Sequence, residues 1–238
     1  MMKRGDMNFR SPDQVEAKNI LSALSQRQII ELLKVAPSSN LYKEVYANFN
    51  NYFPNIKTFG ELKNAIEDDG VVSVEGSINK NIGGTKIRVV EVLLLAMEKF
   101  NNDIVKDYIC RINNIEDLAI VMEMALRLRD QEIISILSTR IILHSLLWTD
   151  SQFNSFYSKV LEGLLSGEEE DDDYISSDDN MSEDDIILNV NVKDYDAVYN
   201  LLDIIPRYNL EIIGIIATSG SSDLLKYATL KYNEYHNP

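Results

Sequence analysis

The side chains able to do chemistry in this chain of 238 residues are few and scattered. There are two imidazoles, His144 and His236, and one thiol, Cys110. His144 stands inside the apolar run Ile141-Ile142-Leu143-His144-Ser145-Leu146-Leu147-Trp148, where helix packing is a more ordinary role than general base or ligand. His236 falls in an expected terminal fray. Cys110, between Ile109 and Arg111, has no histidine nearby in sequence and is expected to be buried. These three residues cannot make up a standard zinc site. Gly83-Gly84-Thr85-Lys86 lacks the G-x-x-x-x-G-K-[ST] spacing that cradles phosphates, and reads as a flexible lead into a helix. No catalytic residue, metal or cofactor is assigned, and no enzyme is expected.

Carboxylates are plentiful, but eleven of the 38 lie in one block, residues 168–185, which holds neither Lys nor Arg. Self-repulsion is expected to keep this block extended and solvated, unable to hold a near-attack geometry. Its first part, Asp171-Asp172-Asp173-Tyr174-Ile175, lacks the alternating ligands and central glycine of a calcium loop. Ser176 and Ser182 each have an aspartate three residues on, Asp179 and Asp185, the spacing that acidophilic kinases favour. Both serines are therefore candidate phosphorylation sites in what is otherwise a solvated linker.

Composition narrows the class of partner. The formal charge of −15 opposes binding to nucleic acid, whose affinity comes from neutralising phosphates with Lys and Arg. Without the acidic block the charge would be −4, so most of the acidity belongs to that block. A hydrophobic content of 45% is too high for a disordered chain and enough for one sizeable core or two small ones. The longest apolar runs fall short of the roughly 20 residues that cross a bilayer. With one cysteine and no apolar leader-like region at the start, an intracellular address, in the cytoplasm or nucleus, is expected rather than secretion. The many Asn, Ile, Lys and Asp residues suit an AT-rich genome, such as that of a large DNA virus or intracellular microbe.

The elements that must position these residues read as helices. Residues 19–34 are amphipathic with a break at Ser25-Gln26, and Pro37 should end them. Residues 40–48 make a second helix, and 58–68 a third, with Thr58 as cap and Glu61 closing the box. In residues 70–88, glycines punctuate the β-branched runs at 71–74 and 87–90; a small β-hairpin or a mobile loop fits, the loop being preferred. Residues 90–100, 103–112, 115–128 and 131–148 carry apolar side chains at three-to-four spacing. They are separated by the joints Asn101-Asn102, Asn113-Asn114 and Arg129-Asp130, short enough to make neighbours antiparallel. Helices at 150–165, 194–205, 210–218 and 222–235 complete the set, with 186–192 a short strand or helix lead-in. At an offset of 91 residues, Val121, Met122, Ala125, Ile133, Ile134 and Leu137 overlie Ile212, Ile213, Ile216, Leu224, Leu225 and Ala228, while no period near 33 runs through the chain.

Two resemblances add to this reading. Residues 210–235, with Ser219-Gly220-Ser221 at the turn, resemble the helix pair of an ankyrin-type repeat, without its Thr-Pro-Leu-His turn. Pro12-Asp13-Gln14-Val15, then Ile20-Leu21-Ser22-Ala23-Leu24, then Ile29-Ile30-Glu31-Leu32, Val35 and Leu41-Tyr42 resemble the F-box, with Ser11 where that family has Leu. This second resemblance implies docking onto the adaptor subunit of a cullin-type ubiquitin ligase through Ile20, Leu21, Leu24, Ile29, Ile30 and Leu32.

The expected protein is mainly α, an irregular helical bundle or short helical solenoid with a small β-hairpin and a disordered acidic loop. Its parts are a flexible start at 1–10, an F-box-like segment at 11–53, a helical core at 54–166, the acidic loop at 167–185, and a C-terminal segment at 186–238 that packs on the core. The expected function is non-enzymatic protein–protein interaction, in one form a substrate adaptor for a ligase. The alternative is a self-contained helical scaffold or structural protein, viral or microbial and in one form oligomeric, with no ligase link, in which the N-terminal apolar stripe is ordinary core.

Overall fold

The computed structural model describes residues 12–35, 40–166 and 193–237. The acidic block with Ser176 and Ser182, the segment 186–192, and Ser11 and Pro37 lie outside the described residues. Those described are mainly helical: fourteen helices and one two-stranded antiparallel hairpin. The chain divides into two compact units, Met1–Arg111 and Ile112–Pro238.

The first unit begins with α1 (Pro12–Ser22), α2 (Gln26–Val35), α3 (Asn40–Ala47) and the single turn α4 (Phe49–Tyr52). The break expected at Ser25-Gln26 separates α1 from α2. The unit continues with α5 (Phe59–Glu67), α6 (Val71–Ser77), the strands β1 (Asn81–Ile82) and β2 (Thr85–Lys86), α7 (Val89–Glu98) and α8 (Asn102–Ile109). Thr58 caps α5, its hydroxyl accepting from the Glu61 amide at 3.2 Å while Glu61 accepts from the Thr58 amide in return.

Residues 70–88 correct the loop expectation. Val71–Ser77 is a helix despite its valines, because Val74 is buried and because a distant side chain caps the helix. Gly70 has no side-chain oxygen to offer, so Oε1 of Gln26 accepts from the amides of both Val72 and Ser73 at 3.0 Å. The hairpin is confined to 81–86. Gly83 and Gly84, at φ +57° and +88°, form its two-residue turn, which an L side chain would strain.

The second unit holds α9 (Ile115–Arg127), α10 (Gln131–Ser145), α11 (Asp150–Leu165), α12 (Tyr195–Ile204), α13 (Leu210–Thr218) and α14 (Ser222–His236). α11 packs against α9, α12 and α13; α12 also meets α9 and α14, and α13 meets α14. The apolar faces meet in a core with Phe156, Val160, Leu161, Leu164, Val198 and Leu201 fully buried. Arg127 lies across α11, donating to the Gly163 carbonyl at 2.7 Å and to Glu123 at 3.1 Å. Gly163 leaves the room: a Cβ there would sit 2.1 Å from the Glu123 carboxylate.

The joints repeat. After α5, α7 and α9 a left-handed residue follows the C-cap, Asp69 (φ 54°), Phe100 (φ 54°) and Arg129 (φ 55°), spaced 31 and 29 residues apart. Each is followed by the residue that starts the next helix, whose amide donates back to an alanine carbonyl. These bonds run from Gly70 to Ala65 (2.6 Å), from Asn101 to Ala96 (2.8 Å) and from Asp130 to Ala125 (3.2 Å). Gly220 (φ 84°), 91 residues beyond Arg129, holds the corresponding place between α13 and α14. The sequence showed no such period because the backbone conformation recurs while the left-handed residue changes from Asp to Phe to Arg to Gly.

At a helix start an asparagine or aspartate does one job or two. Asn114 only caps α9, accepting from the Glu116 amide. Asn101 caps α8 and also donates to the Ile66 carbonyl at 2.6 Å, tying two hairpins together. Asn114→Ala should therefore cost about 1 kcal/mol and Asn101→Ala about 2 kcal/mol. Paired thermal melts check this, with the larger fall in Tm for Asn101→Ala.

Candidate protein-docking surface

The three N-terminal helices gather on a small core of their own. Leu21 from α1, Ile29 from α2, Val45 from α3 and Phe53 are buried together, with Leu24, Ile30, Leu32, Leu33 and Leu41 partly buried around them. Full burial of each such side chain contributes roughly 1.5–3 kcal/mol, which short helices need to hold their shape. Of the residues the sequence singled out for docking, Leu21 and Ile29 are thus core. Leu24, Ile30 and Leu32 are half-buried, and Ile20 is exposed.

A different set faces solvent. Ile30, Leu33, Val45, Phe53 and Val72 floor an apolar groove of about 400 Å³, with Tyr42, Tyr46 and Phe49 on its walls and Lys34 at its edge. Tyr46 is 79% exposed, Phe49 50%, and Val35, at the end of α2, 80%. Phe49 leans on Phe53 with ring centroids 4.8 Å apart, so the wall stands on the core. Exposed aromatic side chains beside an apolar floor are the kind of feature that docking partners use. The sequence hid it because Tyr46 and Phe49 fall on the outer face of helices whose inner face carries the same kind of residue.

Arg27 fixes this assembly to the rest of its unit. Its guanidinium forks onto Asp69 (Nε to Oδ2, 2.9 Å) and reaches Asp107 (2.6 Å). The hydrogen bonds to Asp69, then to Asp107, hold Arg27 well above the ordinary guanidinium range, so its charge is permanent. Asp69 is the left-handed residue after α5, so the bond also steadies a strained turn.

The residues considered for catalysis do not converge. Cys110 is exposed at the C-cap of α8, not buried, because Ile109 takes the inward position and the next residue turns outward. His144 is half-buried in α10 with its ring 6.2 Å from Trp148. His236 sits in the last turn of α14, not in a fray, with Nε2 3.1 Å from the Tyr208 carbonyl and its ring 4.3 Å from Tyr232. Burial holds the phenols of Tyr157 and Tyr208 above their usual range. Among the described residues no three His, Cys, Asp or Glu side chains are grouped to hold a metal ion, and no helix is long and apolar enough to cross a membrane.

The flanks of the acidic segment meet. The amide of Asp194, the residue that caps α12, donates to the Leu164 carbonyl near the end of α11 at 2.9 Å. Like the bonds at the uninterrupted joints it runs from a capping residue into the preceding helix, though to the carbonyl two residues before the C-cap rather than three. Replacing residues 167–192 by a short Gly-Asn-Gly turn should therefore leave Tm within about 2 °C of the parent, a shift worth under 1 kcal/mol. Differential scanning calorimetry checks it, and a drop much beyond that would mean the excised segment contributes to the fold. Compared with protein-family models, curated proteins and solved structures, the chain has no match.

Proposed function

We propose that this chain is a non-enzymatic, intracellular protein–protein interaction protein. Its helical hairpins, the last of which (residues 210–235) resembles an ankyrin-type helix pair, form the scaffold, and its N-terminal helices dock a partner in the groove between α2, α3 and α4. The observation that carries this reading is the exposed aromatic wall of Tyr46 and Phe49 over a floor of buried Val45 and Phe53. An apolar groove between short helices suits the apolar face of a partner helix or an inserted aromatic side chain. Partners at such surfaces are held mainly by a few aromatic anchors. In its more specific form the partner is the adaptor subunit of a cullin-type ubiquitin ligase, and the protein is an F-box-like substrate adaptor of viral or microbial origin. The packing of α1, α2 and α3 into one small core supports that form. The buried position of Ile29 and Leu21 moves the docking contacts outward, to Tyr46, Phe49 and Val35.

The test separates docking from folding. Ile29→Asp buries a charge in the N-terminal core and should unfold those helices. Tyr46→Asp with Val35→Asp changes positions that are 79% and 80% exposed and should leave Tm within about 2 °C of the parent. Against purified ligase adaptor subunit, measured by biolayer interferometry, the wild type should bind. The double variant should bind at least tenfold more weakly, a loss of about 1.4 kcal/mol. A wild type that does not bind the adaptor sinks the ligase assignment, and a double variant that binds as well as wild type sinks the groove as the site.

A further inference from the structure

The outer side of α10 holds the longest run of exposed aliphatic side chains among the described residues. Ile142 and Leu143, then Leu146 and Leu147 one turn on, are between 47% and 84% exposed. α10 packs chiefly on α9, which leaves this side open. Its far end is fixed in place: the amides of Leu147 and Trp148 donate to the His144 carbonyl at 2.8 and 3.1 Å, and the Trp148 ring lies 5.5 Å from that of buried Phe156. The leucines therefore stand on a rigid turn.

Their surroundings restrict what can cover them. At about 3.6 residues per turn, Ser135, Thr139, Ile142, Leu143, Leu146 and Leu147 share one side of the helix, and from Ser135 to Leu147 that side carries no charge. The Thr139 hydroxyl donates to the Ser135 carbonyl at 2.9 Å, so burial does not strand it. Residues 112–238 carry 8 Lys and Arg against 24 Asp and Glu. A lipid surface or a nucleic acid calls for cations around the contact, and the one Lys or Arg of α10, Arg140, is turned to the Ile112 carbonyl. An uncharged protein surface is what fits.

Area and geometry identify that surface. The four exposed side chains leave roughly 400–500 Å² in water, the size of the largest apolar patch on a typical monomer. Two such faces together bury roughly 900 Å², and half-buried Ile136 and Trp148 at the margins carry the contact to the roughly 1,000 Å² that a specific interface needs. Ile142 with Leu146 and Leu143 with Leu147 form two rows at four-residue spacing, the rows that interdigitate when a helix packs on another of the same kind. We propose that the chain forms a twofold dimer through the outer side of α10, each copy burying these leucines against the other's. Because the same patch is used on both copies, the contact closes at two. With an interface at the small end of the stable range, it is a micromolar association. It goes beyond the groove of α2, α3 and α4 and does not depend on it.

Sedimentation velocity of the full chain from micromolar to sub-millimolar concentration tests this, with Leu143→Lys/Leu147→Lys alongside. Lysine suits the last turn of a helix, so the variant should keep its fold, as an unchanged circular dichroism spectrum would show. Wild type should rise from the mass of one chain to that of two and stop there, and the variant should associate at least tenfold more weakly. Leu146→Asp, at a position 74% exposed, should give the same loss through the opposite charge, so the result does not hang on one variant's folding. Raising NaCl from about 0.05 to 0.5 M should tighten wild-type association severalfold, as screening relieves repulsion between two anionic chains and spares an apolar contact. Tyr46→Asp with Val35→Asp should dimerise as wild type does; loss of the dimer there would move the contact to the groove and overturn the proposal. A wild type that stays monomeric throughout also overturns it. Binding of the apolar dye ANS by that monomer, lost in Leu143→Lys/Leu147→Lys, would then leave the face to a different protein, whereas a fall in the variant's Tm of more than about 4 °C would give it to another part of the same chain. Growth past two chains, association weakened by salt, or full association in both α10 variants would contradict it equally.

Discussion

The fold depends on one backbone hydrogen bond made repeatedly: the amide of the residue that opens a helix donates to a carbonyl near the end of the helix before it. At Gly70, Asn101 and Asp130 the bond reaches an alanine five residues back and forces the intervening residue into the left-handed region. It satisfies an end-of-helix carbonyl that would otherwise be stranded against a packed neighbour. It also reverses the chain within three residues, which makes consecutive helices antiparallel and buries their facing stripes. Only where the approach is closest does it dictate the residue. A Cβ at Gly70 would lie 2.8 Å from the Ala65 oxygen, so glycine stands there, while Asn101 and Asp130 keep side chains that cap the next helix.

Such joints separate the scaffold from what is attached to it. Asp194 donates to Leu164 across the ends of the acidic segment as Asp130 donates to Ala125 across four residues, so the two helices pair whatever joins them. In the first unit, Arg27 and Gln26 of α2 do comparable work at long range. One clamps Asp69 and Asp107, and the other caps α6 through Val72 and Ser73. The N-terminal helices are thereby held by polar side chains at one edge. Their aromatic wall is left to face outward.

What could be read in the sequence follows from the range of the interaction. The cap at Thr58 with Glu61, the joints at Asn101 and Asp130, and the span 150–165 rest on residues a few positions apart, and periodicity with capping chemistry located them. The helix at 71–77 is not legible locally, because its cap comes from Gln26, 46 residues away from Val72, while β-branched residues taken alone favour strand. The apolar helix ending at Ile109 suggests burial for Cys110, yet a helix end turns successive residues to opposite environments and Cys110 is exposed. Of the N-terminal apolar residues the sequence singled out, Leu21 and Ile29 are buried, while the exposed aromatic side chains beside them are Tyr46 and Phe49. An apolar stripe shows that burial is required and does not say whether the chain itself provides it, and only packing distinguished Ile29 from Tyr46.

The most direct test of this account is amide hydrogen exchange, resolved by NMR, at the residues that open the helices. The amides of Gly70, Asn101, Asp130 and Asp194 should all be protected, exchanging as slowly as amides inside the flanking helices, with Asp194 no exception despite the 26 residues between Ser166 and Lys193. Exchange at Asp194 close to the rate of an unstructured peptide, with the other three protected, would contradict it.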